Sequence, residues 1–284
     1  MLFKCKPQRS TVCKLSPFNH KARKRFGQNF LTDQGIINRI VCSVNAKVTD
    51  RLIEIGPGQG AITQYLVEAC PQLQVIELDK DLIPILLAQF AKYPDFTLHQ
   101  HDALTFDFSS LTTSDTNHST QALRIVGNLP YNISTPLIFH LLTYRDRIAD
   151  MHFMLQKEVV KRLTAMPGEK NYGRLSIMVQ YYCEVEHLFE VPPECFVPPP
   201  KVDSAVVRLQ PYHVLPYIAN DVKHFSHLVN LTFQQRRKTL RNTLKQLIDI
   251  DTMAMLPIDM GLRPENLSVA DYVNLSNLLI EVTL

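Results

Sequence analysis

Acidic, amide and glycine residues recur along this chain where apolar runs give way to helical patterns. Glu54-Ile55-Gly56-Pro57-Gly58-Gln59-Gly60 follows a short apolar run, Arg51–Ile55, and precedes a helical face of Ile62, Leu66 and Val67. Glycines at such a strand-to-helix turn permit a tight bend and let the backbone approach a nucleotide-like ligand closely. Alone the signal is weak, because glycine-rich turns serve many nucleotides and some serve none. A second run, Val75–Leu78, carries Glu77, which lies 21 residues after Gly56. That is the separation of about 20 at which an acid holds ribose hydroxyls. A third run, Phe96–His99, ends near Asp102, whose carboxylate can accept a hydrogen bond from an adenine amino group. Each acid taken singly reads as an ordinary loop residue. Three such features at consecutive strand ends, on one edge of a parallel sheet, define a rim for adenosine. A dinucleotide is one molecule that would carry it.

The fourth run, Leu123–Val126, enters Gly127-Asn128-Leu129-Pro130-Tyr131. Asn128–Tyr131 resembles the Asn/Asp-Pro-Pro-Tyr motif of amino-group methyltransferases that act on nucleic-acid bases. The glycine turn, in its Glu-x-Gly-x-Gly-x-Gly form, resembles that of the Rossmann-like methyltransferases. Together they favour S-adenosylmethionine, with its methionine carboxylate near the glycines. The chemistry explains the residue types. The N6 lone pair of adenine is delocalised into the ring, so the amine is a poor nucleophile. The Asn128 amide oxygen and the Leu129 carbonyl can accept the two N6 hydrogens, favouring a pyramidal nitrogen aimed at the methyl group. Pro130 fixes the backbone so that this carbonyl points outward. Tyr131 can stack on an extruded base, worth roughly 1–3 kcal/mol per base. The bland reading is a plain strand–turn–helix junction with Tyr131 in the core.

Phe196-Val197-Pro198-Pro199-Pro200-Lys201-Val202-Asp203-Ser204 is the second unusual stretch. Three prolines stiffen it into an extended form. Phe196 is either the opposite face of a base clamp or part of a rigid connector; the clamp is the reading adopted for Phe196 and the connector for the prolines. Lys201 touches phosphate or is merely solvated.

The elements that must position these residues alternate. Helical spacing covers Gly35–Val44, a helix follows the glycine turn, another spans Leu82–Phe90 with Pro84 in its first turn, and one opens at Ser134 or Thr135 as N-cap. Met151–Leu155 is a fifth strand, followed by a helix over Lys157–Leu163. Such alternation predicts an α/β fold with a mostly parallel sheet covered on both faces. Ser109–Gln121 lacks apolar rhythm and reads as a surface loop. Glu184–Val191 and Ser204–Leu209 are then two strands without a helix between them, expected to pair antiparallel at the end of the sheet. Past Pro211 the spacing is helical, with Phe225, Leu228, Val229 and Leu231, then Leu240, Leu244 and Leu247, then Val273, Leu275, Leu278 and Leu279. Ser268 and Asp271 form a candidate capping box. The expected organisation is a basic extension at 1–20, a Rossmann-like sheet domain at 21–210 and a small all-helical domain at 211–284.

The net charge of +3 hides an asymmetry. Residues 1–32 hold eight basic side chains, including Lys21, Arg23, Lys24 and Arg25, and no acid, while the rest of the chain has more acids than bases. A second cluster is Arg236, Arg237, Lys238 and Arg241. Concentrated positive charge suits a polyanion, here RNA; solvated tail and helix faces are the bland alternative. The six cysteines form no CxxC pair and no zinc spacing, so no metal is expected, and scattered thiols suit a reducing cytosol. No apolar run reaches the length of a membrane span and no signal-peptide core is visible, so no membrane partner is expected.

Lys24-Arg25-Phe26-Gly27-Gln28-Asn29-Phe30-Leu31, the glycine turn, Asn128–Asn132, Phe196–Ser204 and Gln235-Arg236-Arg237-Lys238-Thr239 together resemble the bacterial rRNA adenine dimethyltransferase family, from about residue 21 onward. The resemblance implies a Rossmann-like S-adenosylmethionine-dependent methyltransferase. Its implied cofactor contacts are Asn29, Leu31, Gly56, Glu77, Asp102 and Asn128, joined by Gly58 from the turn. It also implies a cytoplasmic, monomeric enzyme that dimethylates two adjacent adenosines near the 3′ end of small-subunit rRNA, late in subunit assembly. Rival readings are a methyltransferase of large-subunit rRNA, a DNA adenine methyltransferase, and a non-catalytic assembly or transcription factor on the same scaffold. The Asn128–Asn132 wording and the Arg236–Lys238 segment favour the small-subunit enzyme. Intact Asn128–Tyr131, Glu77 and Asp102 count against an inactive scaffold.

Overall fold

The computed structural model describes residues 28–111, 122–245 and 247–283. Strand β1 (Phe30–Leu31) leads into helix α1 (Gln34–Val44). Asp33 opens that helix by accepting a hydrogen bond from the Ile36 amide at 2.8 Å, and Asn45 closes it at φ 47°. Strands and helices then alternate: β2 (Arg51–Ile55), α2 (Thr63–Ala69), β3 (Gln74–Glu77), α3 (Ile83–Phe90), β4 (Thr97–Gln100), β5 (Leu123–Asn128), α4 (Ser134–Leu142), β6 (Ile148–Gln156) and α5 (Lys157–Thr164). Next come α6 (Arg174–Gln180), β7 (Cys183–Val191), β8 (Phe196–Val197) and β9 (Ser204–Pro211). The last helices are α7 (Val222–Gln234), α8 (Leu240–Leu244), α9 (Ile250–Met255) and α10 (Val269–Thr283).

Seven strands form one sheet in the order β4-β3-β2-β5-β6-β9-β7, and β1 pairs antiparallel with β8 apart from it. The pairs β4–β3, β3–β2, β2–β5 and β5–β6 are parallel. Their apolar side chains are buried on both faces: Leu52, Ile53 and Ile55 in β2, Val75 and Ile76 in β3, Ile125 and Val126 in β5. That is why these strands read as short continuous apolar runs rather than alternating ones. The late strands β9 and β7 are neighbours at the end of the sheet, the place expected for them. Arg124, near the start of β5, ties the sheet to its surroundings. Its guanidinium donates to Asp50 at 2.6 Å, to Asp150 at 2.8 and 2.9 Å, and to the Val44 carbonyl at 2.7 Å. A half-buried cation is stable there because every face of its fork meets an acceptor.

Packing divides the chain into two compact units. One comprises residues up to Lys157 together with Leu188–Arg208; the other comprises Glu158–His187 together with the residues from Leu209 onward. The second unit therefore contains α6 as well as the helices that periodicity places past Pro211. Its core holds Tyr172, Tyr181, Phe225, Leu228, Leu240 and Tyr272, all fully buried. The Tyr272 hydroxyl donates to the Pro264 carbonyl at 3.0 Å and meets Thr232 Oγ1 at 3.1 Å. The Ser268–Asp271 capping box forms as expected: the Ser268 amide donates to Asp271 at 2.9 Å, and the Asp271 amide to Ser268 Oγ at 3.1 Å.

Two local expectations differ. Ser134 is the first residue of α4 rather than its cap, and its hydroxyl turns back to donate to the Tyr131 carbonyl at 3.2 Å. The start of the expected 109–121 loop is ordered as a 3₁₀ turn, Phe108–Leu111, because Asp107 accepts from Ser109 at 2.9 Å and Leu111 is buried. Residues 112–121 lie outside the described residues.

Candidate active site

The strand order reverses beside β2, with β3 on one side and β5 on the other. Chain crossovers leave in opposite directions there, which opens a crevice at the carboxyl ends of the strands. A cavity of about 380 Å³ occupies that place. Its floor is the glycine turn. Gly56, Gly58 and Gly60 have φ of 68°, 57° and 80°, the left-handed region open to glycine. At Gly58 a side chain would also stand 3.2 Å from the Phe30 ring, which packs over the turn. The expected residues Asn29, Leu31, Gly56, Gly58, Glu77, Asp102 and Asn128 all line this one cavity, as do Leu129, Pro130, Tyr131 and Phe196.

Glu77 ends β3 and is 7% exposed. Burial pushes its carboxyl up, and backbone amides of Asp79, Gly58 and Leu78 hold it back; that of Asp79 donates to Oε1 at 2.8 Å. A carboxylate fixed in this way can accept hydrogen bonds from a ligand's hydroxyls with little reorganisation. Asp102 stands beyond β4, one oxygen accepting from the Leu104 amide at 2.9 Å. The donor set suits S-adenosylmethionine: a glycine cradle, an acid for the ribose, an acid for the adenine amine and an apolar wall from Leu31, Ile62 and Ile76.

Asn128 ends β5. Its Nδ2 donates to the Asn29 carbonyl at 3.2 Å, which sets which way the amide faces. Gly127 before it allows the close approach: a side chain there would stand 2.8 Å from the Ile55 carbonyl. Leu129 is buried and its amide donates to the Met154 carbonyl at 3.1 Å, so the motif's backbone is pinned to β6. Tyr131 is half-buried and its hydroxyl meets Ser204 Oγ at 3.0 Å. It is therefore not a core residue.

Phe196 differs from the expectation. It is 3% exposed, pairs as a strand residue with Leu31 and belongs to the apolar core with Cys195 and Val206. It lines the cavity together with Tyr131 while anchored in the core, so the base-clamp role expected of it would be played by a buried side chain. Glu54 opens the glycine motif, and its position in the sequence alone suggests no role for it. It is 2% exposed, lines the cavity, and burial pushes its carboxyl up to about 7. Gln28 donates to the buried Asp79 at 3.0 Å and so fastens the chain just before β1 near Glu77. No signal in the sequence pairs Gln28 with Asp79, because only the fold brings them together.

Lys21, Arg23, Lys24 and Arg25 lie outside the described residues. The other basic cluster sits on the turn between α7 and α8 and at the start of α8. Arg237, Lys238 and Arg241 are exposed. Arg236 is engaged within its own unit: it donates to the Lys170 carbonyl at 2.6 Å and lies 3.6 Å from Glu265. Among the described residues no group of histidine, cysteine or acidic side chains could hold a metal ion, and no helix is long and apolar enough to cross a membrane.

Comparison with known proteins agrees with this geometry. The family model described as ribosomal RNA adenine dimethylase matches residues 19–281. The chain is similar to a protein of Saccharophagus degradans named ribosomal RNA small subunit methyltransferase A, with 64% identity over 260 residues, 92% of this chain and 95% of the relative. The protein of the same name from Pseudomonas syringae pv. tomato is 58% identical over 267 residues, covering 94% and 98%. Among solved structures, a dimethyladenosine transferase from Plasmodium falciparum superposes with a TM-score of 0.71 at 25% identity, covering 89% of this chain and 97% of the other.

Proposed function

The chain belongs to the ribosomal RNA adenine dimethylase family, whose members are S-adenosylmethionine-dependent methyltransferases, and from that premise we propose that its acceptors are two adjacent adenosines in a loop near the 3′ end of small-subunit rRNA. The observation that carries the chemistry is the fixed amide of Asn128 in one cavity with the glycine turn and Glu77. S-adenosylmethionine, when bound, supplies an electrophilic methyl group on its sulfonium. Glu77 would hold the ribose hydroxyls, Asp102 the adenine amine, and the glycine turn the amino-acid end. With Nδ2 committed to Asn29, the Asn128 carbonyl oxygen is left to accept one N6 hydrogen of the target adenine; the Leu129 carbonyl accepts the other. These two contacts oppose delocalisation of the N6 lone pair into the ring, and Tyr131 stacks on the base. Such oriented acceptors act without reorganising during the reaction, which is what makes them effective.

The natural acceptor on this reading is rRNA within an immature small subunit, met by a monomer in the cytoplasm late in assembly. The basic residues 21–25 and the exposed Arg237, Lys238 and Arg241 are its RNA contacts. The test offers labelled S-adenosylmethionine with immature small subunits, free small-subunit rRNA, large subunits and DNA as competing acceptors. Label is expected in small-subunit rRNA as N6,N6-dimethyladenosine at two adjacent positions. Preferential labelling of large subunits or DNA would overturn the assignment.

A further inference from the structure

The loop from Phe196 to Ser204 is held at both ends. Phe196 pairs with Leu31 and lies in the core. At the other end, the Asp203 carbonyl accepts from the Lys157 amide at 2.9 Å, and the Lys157 ammonium bridges Asp203 at 3.2 Å and Glu190 at 2.8 Å. Between these fixed points the three prolines leave the chain little freedom. Ser204, the last residue of the stretch, is 1% exposed, and its hydroxyl meets the Tyr131 hydroxyl at 3.0 Å. A tyrosine ring turns about two side-chain torsions; a hydrogen bond at its far end removes that freedom.

We propose that Ser204 is a positioning residue that holds Tyr131 as a rigid stacking surface, and that the second methyl transfer to each adenine depends on it more than the first. The inference rests on the dimethylation reading. In each transfer N6 forms a bond to the methyl carbon as the sulfonium S–C bond breaks, and one N6 proton leaves to solvent. Unmethylated adenine offers two N6 hydrogens, one for Asn128 and one for Leu129. Monomethyladenine offers one, so half of that polar orientation is gone. Stacking on Tyr131 remains, and its contribution to orienting the base rises accordingly. A loosened ring therefore penalises the second transfer first.

The test compares Ser204→Ala, Tyr131→Phe and the double variant on unmethylated small subunits. It measures KM and kcat and, by mass spectrometry, the ratio of mono- to dimethyladenosine during turnover. Each single variant should raise the monomethyl-to-dimethyl ratio by about 3- to 10-fold, the range set by one hydrogen bond. The double variant should match the singles, since both remove the same contact. Cofactor affinity by calorimetry should stay at the wild-type value. Tyr131→Phe deletes only a hydroxyl and keeps the test sound if Ser204→Ala lowers stability. An unchanged product ratio, or additive effects in the double variant, would overturn the proposal. If the wild-type enzyme dimethylates a different RNA, the rRNA assignment fails and the same ratio is read on that RNA.

Discussion

The side chain of Asn128 donates to the backbone carbonyl of Asn29 at 3.2 Å, joining the end of β5 to the residue just before β1 across 99 positions of sequence. The contact does two things. It fixes the amide so that nitrogen faces Asn29 and oxygen faces away from it, and it holds the backbone of Asn29 beside the end of β5.

Replacing Asn128 by alanine should lower kcat by roughly 10²-fold or more, the scale for losing a placed polar group at a reacting centre. Cofactor affinity should change by only a few-fold, because Glu77, Asp102 and the glycine turn are untouched. Single-turnover methylation and calorimetry on the same preparation separate the two effects. Near-normal turnover would remove Asn128 from the chemistry.

Glu77→Ala should weaken S-adenosylmethionine binding by about 10- to 100-fold, the loss expected when a charged acceptor of hydroxyl hydrogen bonds is removed. RNA binding should persist. Calorimetry with the cofactor and filter binding with small subunits check both halves, and an unchanged cofactor affinity refutes the assignment.

Glu54 and His152 pull the pH dependence of stability in opposite directions. Burial pushes the Glu54 carboxyl up from 4.5 to about 7, with Glu77 adding to the rise. Burial pushes the His152 imidazole down from 6.5 to about 4, opposed by Asp150 and aided by Arg124 and Arg208. Between pH 4.5 and 7 native Glu54 keeps a proton that the unfolded chain has lost, so its contribution falls as pH rises. Between pH 4 and 6.5 the unfolded chain protonates His152 while the native state does not, so its contribution rises with pH. Relative to wild type, Glu54→Gln should gain stability towards pH 7, and His152→Gln should lose it towards pH 6.5, each by roughly 1–3 kcal/mol across its window. Urea unfolding at a series of pH values measures this. Parallel profiles for all three proteins would contradict both assignments.

The basic cluster should split by role. Arg237→Glu with Lys238→Glu should weaken subunit binding and flatten its salt dependence by about 0.7–0.9 log unit per lost phosphate contact. Arg236→Ala should instead cost stability, about 0.5–1.5 kcal/mol, because its guanidinium bonds to the Lys170 carbonyl. A binding titration over several salt concentrations, beside a thermal melt, tells the two apart. Wild-type affinity and slope in the charge-reversed variant would exclude this turn as an RNA contact.

The amino-acid sequence by itself determined the parallel strands, because buried β2, β3 and β5 read as short apolar runs bounded by turn residues. It also brought Gly56, Gly58, Glu77 and Asp102 to one cavity, since glycines and acids at strand ends are local signals at known separations. The resemblance supplied Asn29 and Leu31, for which spacing offers no reason, and the adenine substrate. What only the tertiary structure decided are contacts between residues far apart in sequence. Asn128 meets Asn29 and Gln28 meets Asp79 because the strand order reverses beside β2 and the β1–β8 pair lies along the same crevice; Tyr131 meets Ser204 because β9, which opens at Ser204, lies two strands from β5. Local periodicity carries no record of such pairs. The same limit explains Phe196 and Arg236. A phenylalanine in a proline-rich loop gives no sign that its backbone pairs with Leu31 and its side chain joins the core, and an arginine in a basic run gives no sign that a carbonyl from another segment holds it. Burial and partner choice are decided by what packs alongside, and that is set by topology rather than by neighbours in the chain.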